Sequence, residues 1–538
     1  MSVYLVLIVI VFRRAGVAHD VTTSAVSLGM IALAISTSLQ AVWKGPIGSG
    51  YLAAPVFSAI YVGPAVLAAQ AGGLPAVFGM TIFAGLIELA LVPLLGRFRG
   101  LFPPSISGFI VAIVGIQLGI IGIVDLLGVD HINRPRFDDH VTVGFITLSI
   151  IIGLSVWGRG LMRLTCSMIG IGCGLALAFA FGLVSSKAVQ VFVNAPVVAL
   201  PDMSYLSYGF EPALIPPFLI AGAAATLRTV GVVTTCQKIN DDDWKRPEMR
   251  SIRGGILADG IGCTIAGVLG TMGMNTAPSL VGVSKGSGAT SRAIAFSASG
   301  FLVLFAFVPK YAALFQMLPE PVVGAAMVFT ASFMIAGGIQ IIVSRNVDSR
   351  TTFVVGPALL IGLSRELFPA YFKASPQVIQ AISGSMMSLG VITAFAVNLL
   401  FRVGATRRVV FAFESSPSPI EDLGKLLRSR VKAWSIAPDI VDRAIATSEQ
   451  VIRHIEDTHL VIGGTKAAIT YNDVDFVVTI SYTGTLLSLP NVGVKRVSFL
   501  EEESFSYGLA DFLTGVYPDR MEARTVGKEA SIAMYFNT

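Results

Sequence analysis

The sequence predicts an all-α polytopic membrane protein that continues into a smaller α/β domain. Three observations carry that prediction. Of 538 residues, 54% are hydrophobic and only 13% charged, and the mean hydropathy of +0.75 lies outside the range of soluble globular chains. Apolar runs of about 20 residues, the length a helix needs to cross a bilayer, recur from Ser24 to Arg402. After Arg402 they stop and the composition becomes that of a water-soluble domain. A transmembrane domain is therefore expected at 1–402 and a separate domain at 408–538.

The first apolar run, Met1 to Phe12, would reach only about 18 Å as a helix, against a hydrocarbon core of about 30 Å. It reads as a truncated first helix. It does not read as a signal peptide, because no basic residue precedes it and no small-residue cleavage site precedes Arg13 and Arg14. Spans follow at Ser24–Trp43, Tyr51–Gln70, Leu74–Leu95, Pro104–Leu126, Val141–Gly158, Cys166–Val184, Ala213–Cys236, Gly254–Gly270, the short Asn275–Ser284, Ala293–Leu314, Pro321–Val343, Phe353–Leu363 and Ile379–Phe401. With the N-terminal run, about fourteen crossings are expected.

The formal charge of +5 is dispersed along the chain. It reads as loop Lys and Arg facing the cytoplasm, not as a nucleic-acid surface. Lys44, Arg97, Arg99, Arg159, Arg163 and the loop from Lys238 to Arg253 fall mostly on one side if the crossings alternate, and the same count puts the tail in the cytoplasm. Arg13 and Arg14 fit this rule badly. Four cysteines, Cys166, Cys173, Cys236 and Cys263, lie in apolar segments without metal-type pairing and read as small core residues.

Two stretches are too interrupted to be ordinary spans. Gly270 to Arg292 (GTMGMNTAPSLVGVSKGSGATSR) lies third in the second half of the apolar chain, and Gly45 to Pro64 (GPIGSGYLAAPVFSAIYVGP) lies third in the first half. Unpaired backbone is costly in lipid, so irregular chain at membrane depth must be buried in protein or line a watery cavity. Broken segments at matching places are the mark of a transporter built from inverted repeats, with helix N-termini turned toward a small polar solute. If the two stretches are instead loops between spans, Gly and Pro merely make their turns.

Ionisable residues inside apolar segments are functional candidates by default, because burying them is expensive. Arg228 falls in the eighth span and Asp259 in the ninth. They could pair with each other as a structural element or act directly in transport. Lys285 closes the short tenth segment and suits an interface position.

Three segments, FPPSISGFIVAIVGIQLG at Phe102 to Gly119, GGILADGIGCTIAGVLGT at Gly254 to Thr271 and LPEPVVGAAMVFTASFMIAGGIQ at Leu318 to Gln340, resemble the nucleobase-ascorbate transporters, also called the xanthine/uracil permeases. The resemblance covers most of Ser24 to Arg402. It implies two inverted seven-helix repeats, a core domain moving against a gate domain, often a homodimer, and uptake of uracil, xanthine or uric acid with a proton. On the family's signature, Ser279 stands at the acidic or amide position, Leu280 at the Asn position, Gly282 and Gly288 fit, and Ser287 replaces Thr. The eighth-helix carboxylate that grips the base in that family falls near Leu227. Both base-reading side chains are thus missing, and recognition passes to the backbone of Ser279, Leu280, Val281 and Gly282, to Ser58 and Tyr61, or to Arg228. An arginine near the place of a glutamate favours an anion such as urate. Asp259 is the remaining titratable group for coupling.

The tail opens with the strand-like RRVVFAFE and continues with helical stretches at Ile420 to Trp434 and Pro438 to Asp457. Strands KAAITYN and FVVTISYTG, a helix GLADFLTGV and a last strand EASIAMYFN follow. This order resembles the histidine-kinase-type ATPase fold of anti-sigma regulatory kinases, with Arg453 where that family has a magnesium-binding Asn and Tyr482-Thr483-Gly484 in place of its Asp-x-Gly. It implies a degenerate regulatory or docking module. The sulfate-permease tail domain is the rival.

The expected function is secondary active transport of a nucleobase-like solute, probed through a multi-pass protein of the inner cell membrane, with proton or cation coupling and no other cofactor. A membrane sensor acting through the tail on a cytoplasmic protein partner, or a sulfate-type anion transporter, are the alternatives. An enzyme is not expected: the sequence contains no P-loop, no HExxH and no paired-Cys metal pattern. His19, His131, His140, His454 and His459 fall mainly in loops or the tail.

Overall fold

The computed structural model describes residues 2–93, 104–129, 137–241, 248–343, 347, 349–376, 380, 383, 385–402, 407–412, 419–434, 438–458, 460–471, 475–485, 518, 520–526 and 529–537. They form two compact units, one from 1–98 and 104–397 and one chiefly from 398–538.

The first unit is mostly helical. A 3₁₀ turn at Ser2–Leu5 leads into α1 (Val6–Arg14), followed by α2 (His19–Ala41), the short strand β1 (Pro55–Phe57) and α3 (Ala59–Leu91). Then come α4 (Pro104–Leu127), α5 (Phe137–Trp157), α6 (Leu161–Leu164), α7 (Cys166–Ala180) and α8 (Ser186–Asn194). The second half of the unit holds α9 (Ile215–Asn240), α10 (Met249–Val268), strand β2 (Met274–Thr276) and α11 (Pro278–Ser287). It continues with α12 (Ala293–Ala306), α13 (Pro309–Gln316), α14 (Glu320–Ile342), α15 (Ser349–Leu367), α16 (Pro369–Ala374) and α17 (Met386–Arg402). Among the described residues, six helices are long and apolar enough to cross a membrane, or seven if the bent pair α12 and α13 is one span.

The differences from the expected spans have local causes. The spans expected at Tyr51–Gln70 and Leu74–Leu95 run together as β1 and α3, but α3 is broken at Gly72 and Gly73. Gly73 has φ +68° and ψ −160°, a conformation that only glycine adopts cheaply. The span expected at Ala293–Leu314 bends by 85° at Phe307 and Val308, where the following Pro309 disfavours helical backbone in the residue before it. The amphipathic α8 has no counterpart among the expected spans. Cys173 is exposed, contrary to the core role expected of it, while Cys166, Cys236 and Cys263 are buried.

Small residues let the helices approach closely. Along the α4–α14 contact, a Cβ at Gly108 would meet the Gly338 carbonyl oxygen at 2.6 Å and one at Gly324 would meet that of Gly122 at 2.6 Å. Between α3 and α10, a Cβ at Gly85 would meet the Gly260 carbonyl oxygen at 2.7 Å. The first helix is enclosed as well: Leu5 to Phe12 are all at most 5% exposed, and Arg14 reaches Asp125 of α4 at 2.9 Å.

The second unit is an antiparallel five-stranded sheet with two helices. Strand β3 (Arg407–Ala412) is followed by α18 (Pro419–Trp434), α19 (Pro438–Asp457), β4 (Val461–Tyr471), β5 (Asp475–Gly484), β6 (Arg520–Val526) and β7 (Glu529–Asn537). The spatial order is β3-β4-β5-β7-β6. Alternate residues Phe476, Val478 and Ile480, with Ile532, Met534 and Phe536, bury one face of the sheet. Leu423, Leu427, Val441, Ala444, Val451 and Ile455 of the two helices complete that core. Strand β6 is not among the expected elements, although Arg520, Glu522 and Arg524 alternate with Met521 and Ala523, which pack on the core. The expected helix GLADFLTGV lies outside the described residues.

Candidate functional site

The two interrupted stretches meet. Strands β1 and β2 pair antiparallel with Pro55 opposite Thr276, Val56 opposite Asn275 and Phe57 opposite Met274. The pairing is extended at both ends: the Ser58 N–H donates to the Gly273 carbonyl at 3.2 Å and the Ala277 N–H to the Ala54 carbonyl at 3.1 Å. Sequence makes this local geometry. Ala54 and Ala277 each precede a proline, which favours extended backbone, and Pro278 then starts α11 at the one position where a missing N–H costs nothing. Each strand thus delivers the chain directly into a helix N-terminus, α3 on one side and α11 on the other.

Polar side chains gather at these two starts. The Ser58 hydroxyl caps α3 by accepting the Ile60 N–H at 3.3 Å, and it also accepts from Arg228 Nη1 of α9 at 3.1 Å. At α11, Ser279 Oγ lies 2.8 Å from the hydroxyl of Tyr4, in the turn ahead of α1. Two serines, one guanidinium and one phenol therefore stand at the ends of two helix dipoles, an arrangement suited to a solute with hydrogen-bond acceptors or negative charge.

Behind strand β2 lies a fully buried network centred on Asp259 of α10. The Thr229 hydroxyl and the Asn275 amide both donate to Asp259 Oδ2, and the Thr276 N–H donates to Oδ1 at 3.1 Å. Asn275 also donates to the Ala225 carbonyl at 3.0 Å, and Thr229 lies 2.9 Å from Thr276 through their hydroxyls. These contacts fasten β2 to α9 and α10. A second buried carboxyl, Glu88 of α3, accepts the Tyr61 hydroxyl at 2.6 Å.

The structure brings some of the expected site residues together and sends others elsewhere. Ser58, Arg228 and Ser279 are at the two helix starts, with Asp259 one layer behind. Tyr61 is fully buried and turns its hydroxyl to Glu88, away from Ser58. Val281 is buried in a small cluster with Ala53, Val232 and Cys236. Leu227 packs, half-buried, against the main apolar core. The N–H groups of Leu280 and Val281 are both directed to the Ala277 carbonyl, which removes them as free donors. Gly282 faces open space. No ion pair joins Arg228 to Asp259 among the described residues; each is held by neutral partners instead. Glu88, Tyr4, Thr229 and Asn275 were missed. The rule that singled out Arg228 and Asp259 would have found Glu88, an acid inside the apolar run GLIELAL. Nothing in the sequence alone brings Tyr4 to Ser279.

Comparison with known proteins decides the family. Residues 1–370 match the profile of the xanthine/uracil permeases, described as "Permease family". The chain belongs to this permease family. Among its relatives is the xanthine permease XanP of Escherichia coli strain K12, 24% identical over 405 residues, covering 73% of this chain and 87% of that one. Another is the uric acid permease PucK of Bacillus subtilis strain 168, 26% identical over 343 residues, covering 63% of this chain and 78% of the relative. A solved structure, the transmembrane domain of the cyanobacterial bicarbonate transporter BicA, superposes with a TM-score of 0.44 at 14% identity, covering 74% of this chain and 93% of that one. Membership makes the chain a multi-pass membrane permease. The permease match ends before the second unit begins.

Proposed function

We propose that this permease is a secondary active transporter of a nucleobase-like solute of the uracil, xanthine or urate class, coupled to protons and working by alternating access. One observation carries the reading: two helices begin at a crossing of two short strands, with Ser58, Arg228 and Ser279 at their starts and a buried carboxyl directly behind. Solute binds between α3 and α11, and Asp259 takes part in coupling through its hold on β2. The relatives named as xanthine and uric acid permeases support the solute class. Fourteen crossings in two inverted repeats are supported by two pairings of corresponding segments, β1 with β2 and α4 with α14, which are third and fifth in each half. A homodimer in the inner cell membrane, with the tail in the cytoplasm, completes the reading.

The test is an uptake panel in vesicles containing the full chain, using radiolabelled uracil, xanthine, urate and sulfate with and without an inward proton gradient. Gradient-dependent accumulation of at least one of the first three is expected. Accumulation of sulfate alone would move the protein to the anion-transporter reading, which the Arg228 guanidinium favours, and absence of any uptake would favour the sensor.

For the tail we infer a regulatory or docking module related to the anti-sigma kinases that binds no magnesium nucleotide. Arg453, at the place of the metal-binding Asn, pairs with Glu449 at 2.7 Å, so the carboxylate is engaged by a cation of the protein itself. Titrating ATP and magnesium into the chain should leave tail fluorescence unchanged; steady ATP hydrolysis would overturn this.

A further inference from the structure

Glu88 lies in the middle of an apolar helix and is fully enclosed. One of its oxygens accepts the Tyr61 hydroxyl at 2.6 Å. The other, Oε2, is buried and has no hydrogen-bond partner among the described residues. Its neighbours explain why this matters. On its own helix α3 the titratable neighbour is Tyr61, and from α10 come Cys263 and Asp259. The other elements packed on α3 spend their charges elsewhere: Arg228 of α9 on Ser58, Arg14 of α1 on Asp125 of α4, and Arg13 on the Leu318 carbonyl. Tyr205, packed on Phe78 of α3, donates to the Gly270 carbonyl. The ionisable group that opposes a charge on Glu88 is a second buried carboxyl, Asp259, which is of like sign when ionised.

A buried carboxylate with one hydrogen bond, no cation and a like charge nearby is far more costly than a neutral acid with one unsatisfied O–H. Asp259 is in the opposite situation, with three donors directed at it. We propose that Glu88 is a protonated carboxylic acid in the resting protein and forms, with Asp259, a pair of linked proton sites behind the strand crossing. Two buried carboxyls that feel each other titrate as a unit, so the proton belongs to the pair. Tyr61 links the pair to the solute site: it sits in the first turn of the helix that Ser58 caps, and its ring packs so closely on Gly273, the residue before β2, that a Cβ there would lie 2.4 Å from the ring. A shift of β2 on solute binding must move this ring, and with it the hydrogen bond that Glu88 receives. The role in coupling rests on the proton-coupled reading above; the protonation of Glu88 does not.

Two measurements separate those parts. Infrared titration of the purified full chain in lipid should show at neutral pH a carbonyl band of a buried protonated carboxyl that Glu88→Gln abolishes and Tyr61→Phe shifts by removing its hydrogen bond. A spectrum unaltered by Glu88→Gln would show the carboxyl ionised and overturn the proposal. In vesicles, Glu88→Gln should keep solute exchange while losing gradient-driven accumulation, which for one proton per solute is about a tenfold concentration ratio per pH unit. Accumulation at the wild-type ratio would exclude Glu88 from coupling. Glu88→Asp, which keeps the acid, serves if the Gln variant does not fold: its band should remain, and a missing band would count against the assignment. If the wild type itself transports without regard to pH, the coupled-transport reading fails while the infrared result on Glu88 still stands.

Discussion

The two arms of the crossing are alike in plan and opposite in how they are held. The β1 arm is secured by its own helix: Ser58 caps α3, and Ile60, Tyr61 and Val62 are all buried at 2% exposure or less. The β2 arm enters a helix without a side-chain cap, and α11 runs only from Pro278 to Ser287, with Ser279 and Gly282 exposed. What holds it is the strand itself, through Asp259, Thr229 and Asn275. One arm is therefore a rigid wall and the other a short helix hung from a buried polar anchor. The alternating access proposed above would use both.

The anchor gives the largest predicted effect. Asp259→Ala leaves the Thr229 hydroxyl, the Asn275 amide and the Thr276 N–H without their common acceptor in a fully buried place. The loss should be about 3–5 kcal/mol of stability, the scale for breaking a buried charged network, read from denaturation of the purified chain, and uptake should disappear. Asp259→Asn keeps one acceptor oxygen and should fold better while still losing proton-coupled uptake. If Asp259→Ala cost less than about 1 kcal/mol, the contrast between the arms would collapse.

Next in size is Gly273→Ala. The added Cβ would lie 2.4 Å from Tyr61 Cγ, and the ring, enclosed on all sides, has nowhere to withdraw. Overpacking of this kind costs about 1–3 kcal/mol. A melting temperature equal to wild type would mean that β2 and α3 are less tightly joined than their contact implies.

These residues also show what the sequence could disclose. The Gly and Pro interruptions marked both strands and their matching positions because backbone irregularity is visible wherever apolar runs are long. Intramembrane charge marked Arg228 and Asp259 for the same reason. The rest depended on contacts between distant segments. Asn275 and Thr229 are ordinary polar residues in a sequence, and only the fold places them on one carboxylate; Tyr4 and Ser279 are joined across most of the permease unit. Of the backbone groups expected between Ser279 and Gly282, the N–H groups of Leu280 and Val281 turn to the Ala277 carbonyl, a local detail of the first turn of α11 that the sequence does not show. In the tail, buried alternation revealed β4, β5 and β7, while the edge strand β6 alternates charged residues with only two small or medium apolar ones, Met521 and Ala523, a weaker signal.

The two serines should then separate the arms more finely. Ser58→Ala removes a helix cap and the acceptor of Arg228, so it should cost about 1 kcal/mol and alter solute preference together. Ser279→Ala removes a hydroxyl paired with Tyr4 at an uncapped start, and should change stability by no more than about 0.5 kcal/mol. Equal losses in thermal unfolding would contradict the unequal roles of the two helix ends.

The smallest structural effect is expected at Gly282, and it is informative for that reason. A Cβ there meets nothing within 4 Å, and it lies inside a helix, where alanine is favoured over glycine by about 0.5–1 kcal/mol. Gly282→Ala should therefore leave folding unchanged or slightly improved. If the solute lies against the exposed face of α11, the same methyl group occupies its space and KM should rise while the melting temperature does not fall. If KM is also unchanged, the solute does not lie against α11 at Gly282.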